Sequence, residues 1–118
     1  FAIGWLWTGR VGGGATTLLW AGGVRVAVLH HVTWSVNSVC HTFGKRPFAT
    51  RDRSTNFAPM AVIAFGESWH NAHHAFPRSA RHGVERGQWD SSARLIRIFE
   101  QRGWARDVHW TSRTREVA

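Results

Sequence analysis

From Val11 to Leu29 the chain runs for nineteen residues with a single charge, Arg25. Such a stretch belongs either inside a large helical core or in a bilayer, whose hydrocarbon layer takes about 20 apolar residues of helix. Gly12, Gly13, Gly14, Gly22 and Gly23 all fall within it. Glycine is frequent in membrane helices because it lets neighbouring helices approach closely. Trp5, Trp7 and Trp20 suit an interfacial or tunnel-lining place. No basic region precedes the stretch and no small-residue cleavage site follows it, so it does not read as a secretory signal. The pattern predicts one helix from Val11 to about Phe43, ended by Gly44. At 1.5 Å per residue that helix is ~50 Å long, more than a bilayer core, so its second half leaves the membrane.

Charge divides the chain at the same place. Residues 1–43 hold Arg10 and Arg25 and no acid, whereas residues 44–118 hold the other 13 basic residues and all 7 acids. The expected architecture is therefore mostly α-helical. Residues 1–43 form a membrane-associated segment, and residues 44–118 form a cytoplasmic helical region, the basic side facing inward by the positive-inside tendency. Within that region Lys45–Asn56 reads as a polar loop, with Ser54 on its surface as Ser112 is on the tail's, and Phe57–Phe65 as a short apolar run. A helix is predicted over Glu67–His74, stopped by Pro77. Asp90 is placed to cap a helix over Ser91–Arg102, with Leu95, Ile98 and Phe99 on one face and Gly103 at its end. The tail from Asp107 reads as polar and frayed. Cys40 is the single cysteine, which excludes an internal disulfide and a cysteine-based zinc site; it reads as a small buried side chain.

Eight histidines among 118 residues call for chemistry. His70, His73 and His74 stand at i, i+3 and i+4, within roughly 100° of arc on a helix. Imidazole is the commonest nitrogen ligand of transition metals, so three on one face can share one or two ions. Asn37 and His41 form a second i, i+4 pair that offers a fourth imidazole and an amide carbonyl or water-holding group. Glu67 precedes His70 by three residues and is placed to orient a ring N–H. The HExxH pattern of zinc proteases is absent. Four or more histidines from separate segments beside a membrane suit oxygen chemistry at non-haem iron better than zinc hydrolysis. His82 and His109 lie in polar, basic surroundings and read as solvated, and His30 and His31 as residues that pack or make a polar contact in the helix.

Two strings carry a family resemblance. Asn37-Ser38-Val39-Cys40-His41, followed by Phe43-Gly44 and Arg46-Pro47-Phe48, resembles the segment after the last transmembrane helix of membrane acyl-CoA desaturases. Gly66-Glu67-Ser68-Trp69-His70-Asn71-Ala72-His73-His74-Ala75-Phe76-Pro77 resembles the third histidine box of the stearoyl-type, delta-nine enzymes. Ser79-Ala80-Arg81-His82-Gly83 and Asp90-Ser91-Ser92-Ala93-Arg94-Leu95-Ile96 are similar to the bacterial, particularly actinobacterial, branch.

The resemblance implies an integral protein of the cell membrane with a cytoplasmic di-iron site. Such a site inserts a cis double bond into a saturated fatty acyl chain, using oxygen and two electrons. It implies His41, His70, His73 and His74 as iron ligands and Asn37 as a ligand through water. Thr33 and Trp34 would lie beside the bend of the acyl tunnel. The implied partners are a fatty acyl-CoA, membrane lipid and a separate electron donor: a reductase, a ferredoxin-like protein or a haem carrier. Arg46, Arg51, Arg53, Arg78 and Arg81 form a basic surface suited to the phosphates of coenzyme A, anionic headgroups or an acidic donor.

The family also carries HxxxxH and HxxHH boxes upstream, and no histidine precedes His30. The chain is therefore expected to be the C-terminal part of a longer protein, inactive alone, with upstream histidines completing the site. A membrane fatty acid hydroxylase and a non-catalytic desaturase remnant are the alternatives. Fourteen arginines and eight tryptophans would allow single-stranded nucleic acid to bind. That reading leaves the histidines and the apolar third without a use, so no nucleic-acid partner is expected.

Overall fold

The computed structural model describes residues 1–111, in two units: Phe1–Trp34, and the part from Ser35 onward. The architecture is mostly helical, with two isolated antiparallel bridges and no strand among the described residues.

In the first unit α1 (Ala2–Thr8) and α2 (Val11–Leu18) form a hairpin. Glycines set how closely the two helices pack. A Cβ on Gly13 would collide with the Thr8 side chain, and one on Gly4 with Thr17. Both threonine hydroxyls donate back into their own helices, Thr8 to Gly4 O at 2.7 Å and Thr17 to Gly13 O at 2.9 Å. This spends the hydroxyl proton locally, and the hydroxyl oxygen is the threonine atom nearest the facing glycine. Gly14 receives the Phe1 ring, whereas Gly12 meets nothing within 4 Å. Gly22 and Gly23 touch only leucines one turn back, Leu18 and Leu19. Close approach thus belongs to Gly4, Gly13 and Gly14, not to all five glycines of the apolar stretch.

A π-helical turn over Leu19–Val24 joins α2 to α3 (Arg25–Val39). The expected single helix is therefore interrupted around Gly22-Gly23, where helix propensity is lowest. No helix among the described residues is long and apolar enough to cross a membrane. Ile3, Leu6, Trp7, Val11, Leu19 and Trp20 are all more than half exposed.

The second unit begins on α3, which ends at Val39 and not at Phe43. The cause is Thr55. Its hydroxyl donates to the carbonyls of Cys40 and Phe43, and its amide N–H to Cys40 O at 2.7 Å. The chain then reverses at Gly44, whose φ of 128° and close approach to Asn56 O exclude a side chain. Bridges from Asn56 to Lys45 and to Trp69 lay the returning loop against the histidine segment.

Residues 61–68 make successive turns, so the predicted helix over Glu67–His74 shrinks to α4 (His70–Ala75). Gly66, at φ 104°, packs on Asp90 and prevents an earlier start. The core is small: Ala61, Trp69, Ala72 and Val84, flanked by Phe48 and Phe76. Cys40 is fully buried, as expected. Ser54 is also fully buried, against expectation, because its Oγ lies in the hydrogen-bonded interior of the loop beside Thr50 and Asn71.

Helix α5 (Ser91–Gln101) carries the expected cap, the Asp90 side chain accepting from Ala93 N at 2.8 Å. Its apolar face lies open: Leu95, Ile98 and Phe99 are 51%, 42% and 37% exposed. The segment after Asp107 is pinned, not frayed, as far as Thr111. Ala80 N donates to His109 O at 2.9 Å and Thr111 N to Ser79 Oγ at 3.3 Å. Ser112 and the rest of the tail lie outside the described residues.

Candidate metal centre

Two buried asparagines hold α4 in place. Asn56 Oδ1 accepts from Ala72 N at 3.1 Å. Asn71, fully buried between the box histidines, accepts from Phe48 N at 2.9 Å. It also donates to Phe48 O, Thr50 Oγ1 and Ser54 Oγ. The polar loop is thereby clamped to the helix, which carries Asp52 to the imidazoles.

One helical turn brings His70 and His74 to the same side, and the turn after α3 supplies His41. His70 Nε2 lies 3.2 Å from His41 Nε2 and 3.0 Å from His74 Nε2. One ligand atom from each of the three residues lies within 4.8 Å of the others. His74 Nδ1 is 2.6 Å from Asp52 Oδ2. The Ser54 hydroxyl and amide, and then His74, hold the Asp52 carboxyl below the ordinary carboxylate range. Burial, reinforced by His74, His41 and His73, pushes His70 down to about 4, so its ring is neutral at pH 7.

This geometry fits a cation. With a proton on Nδ1 facing Asp52, His74 presents a bare Nε2 lone pair. A neutral His70 has one N–H. Placed on Nδ1 it is buried without an acceptor, and placed on Nε2 it serves only one of two facing nitrogens. A metal ion with M–N distances of about 2.0–2.1 Å would use all three lone pairs at these separations.

His73 points elsewhere. Its ring centroid lies 4.4 Å from that of His82 and 6.1 Å from that of His70. Burial, then His82 and His74, lower its pKa. Glu67, expected beside His70, has its Oε1 3.7 Å from His82 Nδ1. His82 is thus packed against the box, although its basic surroundings predict a solvated ring. Nothing in its spacing from His73 signals the contact, since a loop and not a helix joins them. Asp52 was likewise invisible to spacing, 22 residues before His74. His109 is exposed, as expected.

Asn37 sits on α3 four residues before His41 and is exposed. Thr33 and Trp34 fall in the first unit. The Thr33 hydroxyl donates to Leu29 O at 2.9 Å, and Trp34, 62% exposed, stacks on His30. Of the basic residues, Arg46 is tied to Thr50 and to Asp52 O, and Arg81 to Gly83 O, while Arg51, Arg53 and Arg78 are exposed.

The family model described as Fatty acid desaturase matches residues 1–109. Over 96 residues, 81% of the chain, it is 49% identical to Delta-9 acyl-lipid desaturase 1 of Arabidopsis thaliana. It is 46% identical, over the same share, to the Palmitoyl-monogalactosyldiacylglycerol delta-7 desaturase, chloroplastic, of that plant. The Acyl-CoA C20 Delta5-desaturase of Anemone leveillei is also 46% identical over 81% of the chain. The matched part covers 32%, 26% and 31% of these relatives, so the chain spans about a third of their length or less.

Proposed function

The chain belongs to the fatty acid desaturase family, and from that premise we propose that it forms part of a membrane di-iron enzyme. The enzyme introduces a cis double bond into a saturated fatty acyl chain, with oxygen and two electrons. The observation that carries the reading is the convergence of His41, His70 and His74 on one point, with Asp52 behind His74.

In this reading His41, His70, His73 and His74 are ligands of two iron ions. Asn37 holds a water beside them, and further histidines from outside this chain complete the set. Bound iron would supply the activation of oxygen. The chain's own residues do the positioning. Asp52 fixes the tautomer and plane of His74. Asn71 fixes the loop that carries Asp52. Burial keeps His70 neutral and so available as a ligand. Thr33 and Trp34 border the acyl tunnel.

Apolar surface on α1, α2 and the π turn supports placement in the cell membrane, with the histidine region on the cytoplasmic side. Exposed Arg51, Arg53 and Arg78 support recognition of anionic groups: the phosphates of a fatty acyl-CoA, lipid headgroups or an acidic electron donor. The three relatives are named for double bonds at positions 9, 7 and 5 and for acyl-lipid, galactolipid and acyl-CoA substrates at nearly equal identity. The carrier is proposed here as coenzyme A on the strength of the arginines.

The test is expression in desaturase-deficient cells from the gene that encodes the chain, with iron per folded protein in detergent and unsaturated acyl products by mass spectrometry. His41→Ala, His70→Ala, His73→Ala and His74→Ala are each expected to lose iron and product, and His109→Ala to keep both. Full iron and product with His74→Ala would overturn the reading.

A further inference from the structure

The three box imidazoles are not held alike. His74 is fixed by Asp52, and His70 turns its Nε2 to His41 and His74 with its own Nδ1 unpartnered. The Nδ1 of His73 is buried with no hydrogen-bond partner. What lies against the His73 ring is the ring of His82, with centroids 4.4 Å apart and planes inclined at 43°.

His82 is itself firmly seated. Its backbone N–H and that of Gly83 both donate to Asp90 Oδ2, at 2.8 and 3.0 Å. Asp90 meanwhile caps α5 through its other oxygen. Gly83 is closely packed, since a Cβ there would crowd Gln88, Asp90 and Trp69 at 3.1 to 3.3 Å. The His82 side chain is only 17% exposed, and Glu67 Oε1 stands 3.7 Å from its Nδ1.

Resting on the reading of the histidines as metal ligands, we propose that His82, seated by Asp90 and paired with Glu67, is a positioning residue for His73. An imidazole without a hydrogen bond rotates about its Cβ–Cγ bond, and a half-turn exchanges Nδ1 with Nε2. A ring packed at van der Waals distance blocks that half-turn. His73 then meets a cation with one nitrogen already aimed, and less rotamer freedom is lost on binding. The working feature of His82 is its flat face, and Glu67 serves by restricting the His82 ring in turn. His82 thereby has a role that a solvated ring in polar, basic surroundings would not have.

The experiment uses Co2+ as probe on the purified chain in detergent. Affinity comes from chelator competition, and the ligand set from the cobalt absorption spectrum. His82→Ala is expected to weaken binding about 10-fold, the lower end for loss of an outer partner, and to broaden the spectrum. His82→Phe is expected to restore the spectrum and to recover affinity to the level of Glu67→Gln, because it keeps a flat ring and loses only the pairing with Glu67. Glu67→Gln, at a half-exposed side chain that leaves folding intact, is expected to weaken binding a few-fold. Wild-type affinity and spectrum in His82→Ala would overturn this proposal and leave the metal centre standing. Failure of His82→Phe to rescue would overturn positioning by packing, since a nitrogen would then be needed. Wild-type affinity in Glu67→Gln would overturn the pairing even if His82→Ala failed to fold. No Co2+ binding by the wild type, or unchanged binding in His74→Ala, would refute the metal centre itself and is thereby distinct.

Discussion

Asp52 Oδ2 lies 2.6 Å from His74 Nδ1, while His74 Nε2 lies 3.0 Å from His70 Nε2. One imidazole therefore has a carboxylate on one side and a bare lone pair directed into a histidine cluster on the other. A carboxylate behind a ligating histidine fixes the tautomer and raises ligand basicity.

Asp52→Asn keeps the size of the side chain and removes its charge. It is expected to weaken Co2+ or Zn2+ binding by about 10- to 100-fold, read by chelator competition with unchanged circular dichroism. Unaltered affinity would show that the Asp52–His74 contact is a surface pair without a role in the centre.

The box spacing gave three of the imidazoles a common helix, and α4 does carry all three. Spacing overstated their unity. A helix six residues long, begun at His70 because Gly66 and Trp69 are committed to Asp90 and Asn56, sends His73 toward His82. Asp52, His82 and the clamp at Asn71 escaped the sequence because loop closure brings them in, and loop closure has no period. The cap at Asp90 and the burial of Cys40 were legible because each depends on local chemistry. The end of α3 was not, since Thr55, sixteen residues after Val39, decides it.

Asn71 is the next point of test. It is fully buried and joins Phe48, Thr50 and Ser54 to α4. Asn71→Ala removes the hydrogen bonds that join Phe48 N–H and C=O to α4, and is expected to cost about 2–3 kcal/mol in urea unfolding. Metal affinity should fall with it, because the freed loop carries Asp52. An unchanged unfolding midpoint would mean that the loop is held by other contacts.

Gly12 and Gly13 are adjacent and make opposite demands. Gly13→Ala forces a methyl group into Thr8, whereas Gly12→Ala meets open space. The first is expected to destabilise the first unit by about 1–3 kcal/mol, as overpacking does. The second should raise helix stability by up to about 1 kcal/mol. Thermal unfolding followed by circular dichroism in detergent reads both. Equal effects would refute the close packing of α1 on α2.

Membrane placement is tested through the exposed apolar side chains of the first unit. Ile3 and Leu6 are 79% and 74% exposed on α1, an arrangement that water penalises by roughly 25 cal/mol per Å² of apolar surface. Lipid removes that penalty. Arg53 is exposed in the second unit, within the basic loop. Cys40, the single native thiol, is fully buried, so its background labelling is low. In sealed inside-out vesicles, Ile3→Cys and Leu6→Cys are expected to resist a water-soluble maleimide and Arg53→Cys to react. In right-side-out vesicles none of the three should react until detergent is added. Equal labelling of Ile3→Cys and Arg53→Cys in inside-out vesicles would place the first unit in water. Reaction of Arg53→Cys from outside would reverse the orientation that the basic loop predicts.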